Sequence, residues 1–206
     1  MSHDDPIAAA LLSDSAYERT RYRQFGWFDQ PLTRKLTVHS YLLHLLAAVL
    51  PLLALLPDGV RVAYFDGSVA DAAPRVGLAA LAATSVVAVG GLGLIAVSVF
   101  LLVRGDRLDE ETARVVRAVE RVSSVTGLVT GGVATLAVYS IALMGFGDVE
   151  TVRAWTAAGG ANPYAPSGLH LPLASVAVVL LGLGVGLRVA AAYLRSRGVG
   201  EPGRAS

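Results

Sequence analysis

The hydrophobic positions of this chain come in blocks rather than stripes. Four runs, residues 36–57, 76–103, 122–147 and 169–194, are each long enough to cross the hydrocarbon core of a bilayer, which takes about 20 helical residues. The first three hold no Asp, Glu, Lys or Arg, and the fourth holds only Arg188. A soluble helix of that length keeps a polar face toward water, and these have none. The pattern predicts an all-α integral membrane protein, a bundle of four transmembrane helices.

Between the runs the pattern changes character. Residues 1–35 alternate basic residues with Tyr17, Tyr22, Phe25, Trp27 and Phe28, the mix of an arm lying at the headgroup level. Residues 109–121 read as a helical extension of the third run, with Asp109 as N-cap and Glu110 and Glu111 in the first turn, where the helix dipole favours acids. No breaker separates this extension from the third run, so one continuous rod is expected. Asp-Gly turn signals in 58–75 suggest an irregular strand or hairpin, and 148 onward suggests a short interfacial helix before a Gly/Pro loop. Residues 195–206 read as a flexible tail.

Charge orients the bundle. The net charge is only +1, but fourteen of the 17 Lys and Arg residues lie in the N-terminal arm, in the loop between runs two and three, or from Arg188 onward. Only Arg61, Arg75 and Arg153 lie in the other two loops. The positive-inside rule then places both termini in the cytoplasm, with the plasma membrane as the expected location. Arg114, Arg117 and Arg121 share one stripe of the extension and are expected to contact lipid headgroups or a protein partner. Nothing in the charge pattern suggests a nucleic-acid ligand.

In lipid, small residues mark where helices touch, because close backbone approach replaces the hydrophobic drive. Ser123, Gly127 and Gly131 in the third run, and Gly182 and Gly186 in the fourth, recur every four residues and are the expected packing ridges.

Candidate chemistry gathers in the first run. Thr37, Ser40, Tyr41 and His44 fall at i, i+3, i+4 and i+7, on one helical face continued by Pro51. An intramembrane polar stripe turns away from lipid and is a candidate site by default. Pro51 cannot donate to the carbonyl of Ala47 and should kink the helix. His39 lies about 140° from His44 around the helix, so the two do not share a ligand.

With no Cys, no carboxylate inside the runs and no His-Glu-x-x-His or Gly-x-Ser-x-Gly, no metal site or catalytic constellation is complete. No cofactor is therefore expected of this chain alone, although a quinone or haem shared with a partner remains compatible with Tyr41 and His44. The leading expectation is a non-catalytic accessory subunit or assembly factor of a larger respiratory or transport complex. The alternative is a homo-oligomeric transporter or channel for a small solute or protons, lined by the polar face of run one, and a weaker one is a quinone- or haem-interacting redox subunit.

Overall fold

A computed structural model describes residues 30–66, 68–104 and 108–198. The N-terminal arm up to residue 29 and the tail from residue 199 lie outside the described residues. The described chain is all helical, with four rods long and apolar enough to cross a membrane: Leu32–Ala54, Arg75–Arg104, Glu110–Gly147 and Leu173–Ser196.

The first rod is two helices, α1 (Leu32–Ala47) and α2 (Val49–Ala54). It breaks one turn before Pro51, where the N–H of Ala48 is shared between the carbonyls of His44 and Leu45 at 3.0 Å each. The missing donor of Pro51 is the physical cause. A short helix α3 (Asp58–Phe65) follows Pro57 where the turn signals suggested a hairpin. Val60 and Phe65 bury there against the bundle, which a solvated hairpin would not allow. The second rod is α4 (Arg75–Arg104).

The third rod runs unbroken through α5 (Glu110–Ser124), a π-helical segment Val125–Thr130, α6 (Gly131–Leu143) and a closing 3₁₀ turn, Met144–Gly147. Asp109 caps it, its Oδ1 accepting from the Thr112 N–H at 2.7 Å. That hydrogen bonding to Thr112 holds the Asp109 carboxyl below its usual value. Helix α7 (Val149–Ala157) precedes the last loop, and α8 (Leu173–Ser196) is the fourth rod.

The rods are packed to backbone contact. A Cβ added to Gly90 would lie 2.6 Å from the Gly127 Cα and 2.7 Å from the Ser123 carbonyl oxygen, so the second and third rods touch main chain to main chain. One added to Gly131 would lie 2.6 Å from Val87, and one on Gly184 would lie 2.7 Å from the His44 ring. Leucines 36, 43, 53, 94 and 180 are fully buried between the rods.

At the end away from the termini, Tyr164 locks the two loops onto the bundle. Its hydroxyl accepts from the Gly145 N–H at 2.7 Å and donates to the Ala142 carbonyl at 3.0 Å, satisfying groups that the end of the third rod leaves open. Its ring packs on Tyr64 and Phe65 at 5.6 and 5.7 Å. Burial raises the phenol's pKa above the usual value. Main-chain bonds from Ser167 to Ala73 and from Leu173 to Ala72, 2.8 and 2.9 Å, tie the loops to each other.

Candidate functional site

Helix α1 carries its polar groups on two adjoining faces. One looks into the bundle and holds Lys35, His39 and Ser40, each 2% exposed or less. The other lies along the seam with α8 and holds Thr37, Tyr41 and His44, of which Tyr41 is 54% exposed.

At the end of the bundle nearest the termini, the inward face meets the extension of the third rod. Lys35 Nζ lies 2.5 Å from Glu120 Oε1, and Arg117 Nη1 lies 2.6 Å from Glu120 Oε2. Lys35 and Glu120 are 2% and 1% exposed and Arg117 is 9%, so one carboxylate between two cations is withdrawn from water. A buried charge costs several kcal/mol to desolvate, and this arrangement offsets that cost with two charge-assisted contacts. It also ties α1 to α5 across 85 residues of sequence.

The structure thereby separates the three arginines that the sequence grouped. Arg114 and Arg121 are exposed, while Arg117 turns inward with Glu120, one turn away on the same helix. Sequence reasoning missed Lys35, Glu120 and His39 as a site. A signal was present, because Ala113, Val116, Arg117, Glu120 and Ser124 recur at helical spacing on the buried face of α5. A charged residue inside such a small and apolar stripe needs a partner from another rod.

His39 sits one turn beyond Lys35. Its Nδ1 lies 2.8 Å from the Lys35 carbonyl oxygen, which makes Nδ1 the protonated nitrogen of the neutral ring. Its Nε2 is buried and has no hydrogen-bond partner among the described residues. That nitrogen presses against Gly127, where any side chain would overlap the ring. Gly127 belongs to the π-helical segment, so the widened turn of the third rod and this buried, unpartnered imidazole nitrogen coincide.

On the seam, most polar groups return to their own helix. Thr37 Oγ1 donates to the Thr33 carbonyl at 2.9 Å, and His44 Nδ1 donates to the Ser40 carbonyl at 2.6 Å. Tyr41 lies beneath Arg188, whose guanidinium carbon is 4.8 Å from the ring centre. Three residues of the predicted stripe, Thr37, Tyr41 and His44, thus follow the contact between α1 and α8, while Ser40 turns into the bundle.

The small-residue ridges divide. Ser123, Gly127 and Gly131 pack inward against α1 and α4, as the contacts above describe. Gly182 and Gly186 face outward, with nothing within 4 Å of a Cβ built on either. The reason is register. The buried face of α8 is Leu173, Val176, Leu180, Gly184, Leu187, Ala191 and Leu194, which leaves Gly182 and Gly186 on the opposite side.

Among the described residues no three His, Asp or Glu side chains converge as metal ligands. A cavity of about 420 Å³ lies between the loops at the far end, with Tyr64, Phe65 and Tyr164 among its walls and Asp71 and His170 at its edge. Compared with known protein families, characterised proteins and solved structures, the chain matches none.

Proposed function

We propose that this protein is a non-catalytic accessory subunit of a larger membrane assembly, held there by a transmembrane helix of another protein that packs on the outer face of α8. The observation that carries this reading is the outward ridge of Gly182 and Gly186. On a surface where Val178, Val185 and Val189 stand out at 68%, 53% and 62% exposure, two glycines one turn apart bare the main chain itself. Small residues four apart allow a second helix to approach closely in lipid, where packing rather than hydrophobicity drives association. The fully buried leucines between the rods favour this reading over a conduit through the bundle. The basic end, rich in arginine, is read as the cytoplasmic face.

Purification from native membranes in mild detergent tests the proposal. A stoichiometric partner protein is expected with the wild-type chain and is expected to be lost from Gly182→Leu/Gly186→Leu, whose added side chains meet open space within the chain itself. A wild-type particle containing only this chain, as monomer or homo-oligomer, would contradict it.

A further inference from the structure

The strongest unassigned feature is Arg188. It is an exposed arginine on an otherwise apolar stretch of α8, flanked along the helix by exposed Leu183, Val185 and Val189. It lies eight residues before the end of α8 at Ser196, roughly 12 Å at 1.5 Å per residue, too far in to sit among the terminal arginines. A guanidinium cannot shed its charge, so from that depth it extends toward the interface and an anion there. Among the described residues it forms no ion pair and no hydrogen bond. Its partner is the face of Tyr41, and a contact of that kind leaves the N–H groups of the guanidinium to another acceptor. The Tyr41 hydroxyl is likewise without a hydrogen bond among the described residues, which adds a second donor on the same seam.

We propose that the seam between α1 and α8 binds the phosphate of an anionic phospholipid from the leaflet at the basic end, held by Arg188 with Tyr41 beside it. Arginine presents parallel N–H groups that match two phosphate oxygens, and a phenol adds a third donor. The site ends at Tyr41. One turn further in, His44 Nδ1 is already engaged by the Ser40 carbonyl and is not available to the phosphate. Arg34, Arg195 and Arg197 at the same end add positive potential, which favours a lipid of net negative charge. A carboxylate on the helix proposed to dock on α8 would not serve. At 100° per residue Arg188 lies about 120° from Gly182 and 160° from Gly186 around the helix, on a different side of α8. The lipid site is therefore separate from the glycine ridge, with Val185 between the two.

Native mass spectrometry of the detergent-purified protein, titrated with phosphatidylglycerol or phosphatidylcholine, tests the site. One phosphatidylglycerol is expected to bind ahead of all others and in preference to phosphatidylcholine. Arg188→Gln should weaken that first site about tenfold, the loss expected for one charge-assisted hydrogen bond, and Tyr41→Phe by a few-fold. Arg153→Gln, which alters an arginine at the opposite end of the bundle, should leave it nearly unchanged. Unchanged binding in Arg188→Gln with a preserved thermal midpoint, or equal affinity for the two lipids, would overturn the proposal. Displacement of the lipid by inorganic phosphate would overturn it too, by identifying a soluble anion as the ligand.

Discussion

Removing the Glu120 carboxylate should be the most damaging single change in the bundle. Glu120 is 1% exposed and receives Lys35 at 2.5 Å and Arg117 at 2.6 Å. Glu120→Ala leaves both cations in place, out of water, without the carboxylate that each of them now contacts. Breaking a buried ion pair from one side costs about 3–5 kcal/mol, against a whole-domain stability of about 5–15 kcal/mol. The variant should therefore lose roughly a fifth or more of its stability. The assay is reversible unfolding of the purified protein in mixed micelles, titrated with a denaturing detergent and followed by helical circular dichroism.

A second variant separates the charge argument from simple loss of packing. Lys35→Met/Arg117→Met/Glu120→Leu keeps the volume and removes all three charges, so its desolvation cost disappears with them. It should recover most of the lost stability. A loss below about 1 kcal/mol in Glu120→Ala, the range of solvent-exposed pairs, would refute the buried clamp. So would a triple variant less stable than the single one.

Three further outcomes are expected. Gly90→Ala should cost about 1–3 kcal/mol, since its Cβ would meet the Gly127 main chain at 2.6 Å, whereas Gly186→Ala should leave the isolated chain's stability unchanged; the same unfolding titration reads both. Tyr164→Phe strands the Gly145 N–H and the Ala142 carbonyl, so it should destabilise by about 1–3 kcal/mol and speed proteolysis in the loop after α7. Because the folded Asp109 carboxyl titrates below its ordinary value of 3.8, its capping contribution is fully present above that value and is lost as pH falls through the folded one. Amide exchange at Thr112, corrected for intrinsic rate, should accelerate across that acidic window and show no such step in Asp109→Asn.

The four rods were legible in the sequence because bilayer crossing depends on local composition alone. Blocks without charge have few other solutions, and Pro51 breaks its helix through its own missing N–H. Asp109 is another local case, since its cap needs only the amide of Thr112. The direction each side chain faces is a different kind of information. Arg117 shares a stripe with Arg114 and Arg121 in the sequence, yet it turns inward because Glu120 beside it meets Lys35 on another rod. Gly182 and Gly186 carry the same spacing as Gly127 and Gly131, and only the register of α8 against α1 puts them outside. Spacing along α1 alone puts His44, and not His39, on the polar face of that helix. The contact with Gly127 that makes His39 unusual comes from the third rod.

The claim on which the account rests is that the outer face of α8 seats a helix of another protein. Photo-crosslinking in native membranes, from a benzoylphenylalanine replacing Val185 beside the glycine ridge, tests it most directly. A single adduct with a different protein is expected, absent when the probe replaces Val133 on the exposed face of α6 and lost in the Gly182→Leu/Gly186→Leu background. Adducts with lipid alone, or with a second copy of this chain, would contradict it.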